Sequence, residues 1–306
     1  MMNQRIARAV GPSRIDIAYE RNGDPAHPTV LLVMGIAAQW VHWPTGFVNA
    51  LVKRGLHVVR FDNRDSGHST HMRQAPPADL AAALRGDLSS ASYTLSDMAD
   101  DAVGLLDALG VDAAHVVGAS MGGAIAQVMA INHPTRARSL TSMMSTTGSP
   151  AVGQPHPQTL RSVFGGPPAR TREEAVARAL RLSELLGSPA FRTDSLSAAE
   201  RAGLAFDRSH DEAAIVRQAV ATVASGDRTL SLHKLDVPSL VVHGLADTLC
   251  DPSGGRATAA AIAGSRLVLI EGIGHNLPPS LWERLADQIV LIVSRGEARP
   301  RPQAVA

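Results

Sequence analysis

Apolar positions along this chain fall into two rhythms. Residues 13–20 alternate, with Ile15, Ile17 and Tyr19 on one side, and predict a half-buried edge strand. Residues 29–34 are continuously apolar, as expected of a central strand covered on both faces. A helix over 44–54 and a strand over 57–61 follow, then a long loop over 70–93 with a short helical piece. A helix over 94–109 opens on the capping candidates Thr94, Ser96 and Asp97 and closes at Gly110. His115-Val116-Val117 is a short buried strand, 121–133 a helix ended by Pro134, and 138–145 another strand. Up to this point strand and helix alternate, which predicts an α/β architecture with a mostly parallel central sheet flanked by helices.

The alternation stops at 147. A stretch rich in Gly and Pro, from Gly148 to Pro168, leads into charged amphipathic helices near 172–186 and 210–225. Residues 147–230 therefore predict a helical cap inserted late in the sheet. The pattern resumes with a strand over 239–244, a helix near 254–263, a strand over 266–270 and a helix over 279–293. The expected organisation is a core from 1–146 and 231–295, the cap at 147–230, and a disordered tail at 296–306 rich in Pro, Arg and Ala.

Composition narrows the partners. A length of 306 residues accommodates one large domain or two ordinary ones. A net charge of +1 and 3% aromatic residues supply neither a basic surface nor stacking platforms, so no nucleic-acid partner is expected. No run approaches the roughly 20 apolar residues of a membrane span. The expected partner is a small molecule, and a homodimer is left open. Cys250 is the sole cysteine and no apolar h-region follows Met1, so a reducing, cytoplasmic location is expected.

Chemistry enters at the strand ends, because ligands of such sheets bind beyond the carboxyl ends of the strands. Gly118-Ala119-Ser120-Met121-Gly122 fits G-x-S-x-G in a strand–turn–helix context. A serine on so sharp a turn needs small neighbours, though the motif alone equally describes a Gly-rich turn with an idle serine. A serine hydroxyl becomes a nucleophile only with a base in reach and a group orienting that base. Asp247 and His275 each lie just past a predicted strand on the same sheet edge as Ser120. Asp251, beside Pro252, is a rival acid that also reads as a helix N-cap, whereas Asp236 precedes its strand and lies at the wrong end.

Acyl transfer also needs donors for a developing oxyanion. The N–H groups of Met121 and Ile36 are in place, the latter on a loop that also reads as a plain strand-end turn. Gly35, Trp40, Trp43, Met143 and Met144, with Met121, are candidates for an apolar pocket, with core packing as the competing reading. Asp62, Arg64, Asp65 and Ser69 read as a polar turn held by side-chain hydrogen bonds. Asp97, Asp100 and Asp101 read as a solvated helix face. No C-x-x-C, H-E-x-x-H or phosphate-cradling loop is present, so no metal and no cofactor are expected.

Four stretches carry a resemblance: 31–35, 60–69, 115–122 and Ile273-Gly274-His275. On them nearly the whole chain resembles the α/β-hydrolase superfamily, and within it the aclacinomycin methylesterase-like bacterial carboxylesterases. Met34-Gly35, where most of the superfamily has His-Gly, is shared with that subgroup. The resemblance implies an α/β-hydrolase fold, a Ser120, Asp247, His275 triad in the order that fold uses, and an oxyanion hole from the N–H groups of Ile36 and Met121. The expected activity is hydrolysis of a small to medium apolar carboxylic ester through an acyl-enzyme, without a cofactor. A methyl ester is compatible with this and not implied. Carbon–carbon bond hydrolysis and perhydrolysis use the same triad and stay open as alternatives. So does a small-molecule receptor on the same fold, which needs neither the triad nor the oxyanion loop.

Overall fold

The computed structural model describes residues 3–191 and 195–300. In chain order its strands are β1 (Arg5–Val10), β2 (Ile15–Asn22), β3 (Thr29–Val33), β4 (His57–Phe61), β5 (Ala114–Ala119), β6 (Ala137–Met143), β7 (Ser239–Gly244) and β8 (Arg266–Ile270). Among the described residues these form one sheet in the spatial order β1-β2-β4-β3-β5-β6-β7-β8. The β1–β2 and β2–β4 pairs are antiparallel, and every pair from β4 to β8 is parallel. Every residue of β3, β4, β5 and β7 is buried, which is why their apolar runs show no alternation.

Helices cover both faces. The helices α1 (Thr45–Val52), α2 (Leu80–Leu84), α3 (Leu95–Ala108) and α4 (Met121–Asn132) precede β6. Between β6 and β7 come α5 (Pro157–Phe164), α6 (Arg172–Leu186), α7 (Ser195–Arg208), α8 (Glu212–Ala224) and α9 (Thr229–Leu232). The chain then adds α10 (Ser253–Ala261) and α11 (Trp282–Glu297). One apolar core packs α3 and α4 on the sheet, and a second packs α1 and α11 on the opposite face. The Asp97 carboxylate accepts the Thr94 N–H at 2.8 Å, closing the predicted start of α3.

Four expectations need correction. The alternating strand at 13–20 is not an edge, because β1 pairs outside it with Ile6 opposite Ala18. Two arginines in Arg-Ile-Ala-Arg-Ala-Val mask the apolar pattern of β1. Asp101 is not solvated: it is buried against Arg64, at 2.6 and 2.8 Å, where the 62–69 turn lies over α3. The segment between β6 and β7 holds α5, α7 and α9 as well as the two predicted helices. Pro157 looks like a breaker but sits at the start of α5, where its missing N–H costs nothing. Finally, Gly296 and Glu297 belong to α11. Arg138 donates to the Gly296 carbonyl at 2.7 Å and to the Glu297 carboxylate at 3.1 Å, tying them to the start of β6. Residues 301–306 of the expected tail lie outside the described residues.

Candidate active site

β5 ends in a turn that only small residues can make. Ser120 has φ 57° and ψ −124°, a strained conformation for a residue with a Cβ. A Cβ on Gly118 would lie 2.0 Å from the Gly122 carbonyl oxygen, and one on Gly122 would lie 2.1 Å from that of Val33. The turn is pinned where the Ser120 N–H donates to the Met143 carbonyl at 2.9 Å. It leaves the half-buried Ser120 side chain at the cavity wall, with the Met121 N–H in the first turn of α4, where donors lack intrahelical partners.

Asp247 follows β7 and is buried. Its Oδ1 accepts the Leu249 and Cys250 N–H groups, each at 2.9 Å, which orients the carboxylate. Its Oδ2 lies 2.7 Å from His275 Nδ1. Since the ionised carboxylate can only accept, the proton of this bond sits on Nδ1, which points Nε2 away from Asp247. Burial alone would raise the Asp247 carboxyl. The pull of His275 and the hydrogen bonds from His243, His275 and the Cys250 N–H outweigh it and hold the group well below the usual carboxylate range.

Asp251 does not reach His275; its carboxylate accepts the Ser253 N–H at 2.9 Å at the start of α10. Asp236 pairs with Arg299 at 2.6 Å, away from the cavity. The end of α6 braces the His275 loop. The His275 N–H donates to the Leu186 carbonyl at 2.7 Å, and the Gly274 N–H to Ser188 Oγ at 3.0 Å. Among the described residues no hydrogen bond joins Ser120 Oγ to His275, but both side chains line one cavity of about 560 Å³.

That cavity lies between the strand ends and the helices α5 to α8. Gly35, Ile36 and Met144 line it from the sheet side, and Leu182 and Phe206 from the helical side. The loop after β3 lies against the serine: a Cβ on Gly35 would be 3.0 Å from Ser120 Cβ. The other pocket candidates are elsewhere. Trp40 is buried between the guanidinium groups of Arg60 and Arg208, 4.5 and 4.8 Å from its ring centroid. Trp43 stacks on Phe47 at 5.7 Å, and Met143, fully buried, packs with it in the core face of α1 and α11. Met121 is buried in the opposite core, and its side chain does not line the cavity. Met144, one residue past the end of β6 with φ 42°, packs in the same core as Met143 but also reaches the cavity wall, which Met143 does not.

Several site residues carried no sequence signal. His243, buried near the end of β7, sits with Nε2 2.8 Å from the Cys250 carbonyl and 3.4 Å from Asp247 Oδ2. Arg208 pairs with buried Asp62, and Arg217 donates to both Asp65 oxygens at 2.8 and 2.7 Å. Gln218 reaches Ala37 and the 64–66 turn. The polar turn at 62–69 is thus the seat on which α7 and α8 are fastened. Among the described residues no group of three or more His, Cys, Asp or Glu side chains is arranged to hold a metal ion.

Residues 28–279 match the family described as alpha/beta hydrolase fold. The chain is 31% identical over 307 aligned positions to a rhodomycin D methylesterase of Streptomyces sp. (strain C5), covering 92% of this chain and 96% of the relative. A rhodomycin D methylesterase of Streptomyces peucetius matches to the same extent. Among solved structures, an enol-lactonase from Burkholderia xenovorans LB400 superposes with a TM-score of 0.69 at 25% identity, covering 95% of this chain and 98% of that one.

Proposed function

We propose, for a chain that belongs to the α/β-hydrolase family and is a hydrolase by that kinship, that it cleaves small to medium apolar carboxylic esters, methyl esters among them, by an acyl-enzyme route. The observation that carries this reading is the 2.7 Å bond from His275 Nδ1 to Asp247 on the wall that also presents Ser120. His275 Nε2 takes the proton of Ser120 Oγ as that oxygen attacks the ester carbonyl carbon. The N–H groups of Ile36 and Met121 stabilise the tetrahedral oxyanion. His275 returns the proton to the leaving alkoxide, and the alcohol departs. A water deprotonated by His275 then attacks the acyl-enzyme and releases the acid. Asp247 holds the imidazole in the tautomer this requires and stabilises the imidazolium.

The methyl ester enters through the two methylesterase relatives. The segment 147–230 acts as the cap that shapes the substrate site. The protein works in the cytoplasm on a small-molecule ester, without cofactor, membrane or nucleic acid. In support, no described helix is long and apolar enough to cross a membrane.

The test is hydrolysis of p-nitrophenyl acetate, butyrate and octanoate by the wild type and by Ser120→Ala. Turnover should fall by about 10³-fold or more in the variant. Activity that survives in Ser120→Ala overturns the assignment of the nucleophile.

A further inference from the structure

Gln218 lies on α8 and is wholly enclosed. Its carboxamide joins three parts of the chain. Oε1 accepts the Ala37 N–H at 2.9 Å. Nε2 donates to the Arg64 carbonyl at 2.9 Å and to Ser66 Oγ at 3.0 Å. Both amide protons are used, so the orientation of the amide is settled by its partners. A flip would set NH2 against an N–H and oxygen against a carbonyl.

The Ala37 N–H belongs to the peptide bond that leaves Ile36. Ala37 has φ 60°, where a residue with a Cβ is strained and persists only if its surroundings impose it. Within the loop, the Ala38 N–H reaches the Gly35 carbonyl at a long 3.3 Å. The shorter bond comes from outside, from Gln218. The far end of the loop is clamped in the same way. Gln39 Nε2 donates to the carbonyls of Ala205 at 2.7 Å and Ser209 at 3.0 Å, and its Oε1 accepts from Arg208 Nε at 2.8 Å. Both clamps come from the helices between β6 and β7.

We propose that Gln218 is a positioning residue for catalysis: its carboxamide fixes the Ile36–Ala37 peptide so that the Ile36 N–H meets the oxyanion. This rests on the serine-esterase reading above. It makes the helical segment part of the catalytic apparatus as well as a wall of the substrate site. Misaligning a donor by a fraction of an ångström weakens it where charge develops, while ground-state binding of the ester changes little.

The experiment compares wild type, Ser120→Ala, Gln218→Met and Gln218→Glu on the best p-nitrophenyl ester of the series. Inhibition by phenylboronic acid is measured beside it, since that probe becomes tetrahedral and anionic on the serine and draws on the same donors. Gln218→Met should lose about tenfold or more in kcat and a similar factor in boronic acid affinity, with KM within about twofold of wild type. In Gln218→Glu the carboxylate still accepts the Ala37 N–H but cannot donate to the Arg64 carbonyl until it is protonated. Its kcat relative to wild type should therefore rise as pH falls. Wild-type kcat and boronic acid affinity in Gln218→Met overturn the proposal, as does a loss confined to KM. Should Gln218→Met fail to fold, a pH-independent ratio in Gln218→Glu overturns it instead. Activity that persists in Ser120→Ala overturns the serine reading and the proposal together. Activity lost there but intact in both Gln218 variants overturns the proposal alone.

Discussion

The two walls of the cavity are held by different physics. The sheet wall presents Ser120, Asp247 and His275 from the ends of β5, β7 and β8, whose positions follow from main-chain ladders and buried apolar strands. The helical wall has no such frame. α6 has no fully buried residue at all. Apart from the buried Ala219, Val220 and Ala221 of α8 and the main-chain bond from His275 to Leu186, the segment is fastened by side chains that reach far along the chain, Arg208 on Asp62, Arg217 on Asp65 and Gln218 on Ala37. On the proposed reading, the chemistry sits where backbone geometry is rigid. On the same reading, substrate shape is left to elements held largely by long-range side-chain contacts.

The sharpest way to break this contrast is on the sheet wall. Asp247→Asn should lower kcat by about 10⁴-fold, because an amide in that place stabilises the wrong imidazole tautomer. Its circular dichroism spectrum should stay that of the wild type. The same variant carries a pH signature. A carboxyl depressed in the folded chain adds stability above its unfolded pKa of about 3.9, and that contribution is lost as pH falls through the lower folded value. The Tm difference between wild type and Asp247→Asn should therefore be full at neutral pH and shrink below about pH 4. A difference that does not change with pH would contradict an ionised Asp247.

The helical wall should fail differently. Arg217→Met leaves the buried Asp65 carboxylate without its bidentate partner, a change that costs about 3–5 kcal/mol. Proteolysis should then enter between 147 and 232 before it enters the sheet, read by mapping the first cuts. Equal cleavage of both regions would show that the walls are not held separately.

The smallest effect separates two neighbours. Met143→Ala should destabilise by about 2–5 kcal/mol and leave the ester chain-length profile unchanged, because that side chain fills the core. Met144→Ala, at a buried side chain that packs in the same core but also lines the cavity, should lower Tm too and in addition shift the optimum towards longer acyl chains, changing kcat/KM ratios by about tenfold. Identical phenotypes would erase the distinction between core and cavity at this strand end.

Legibility followed the same divide. β3, β4, β5, β7 and β8 could be read because each is a short, mostly apolar run bounded by turn residues, a local pattern. Ser120, Asp247 and His275 could be read because each comes just after such a run. β1 was hidden by its arginines, α7 by Ser and by Gly203, which packs under the Arg172 guanidinium. Trp40 and Trp43 looked like pocket residues from their place after β3. Only folding puts Arg60 and Arg208 on one indole and Phe47 on the other.

From the order of residues alone come the sheet, the sharp turn at Ser120 and the Ser, Asp, His succession along one edge, since these depend on backbone conformation and burial that near neighbours impose. Which carboxylate meets His275, which methionine faces the cavity and which glutamine grips the Ile36 loop are settled by contacts between residues distant in sequence. A hydrogen bond from Gln218 to Ala37 or from Asp247 to His275 leaves no periodic trace in the chain. It exists only once hydrophobic burial has brought the two elements together.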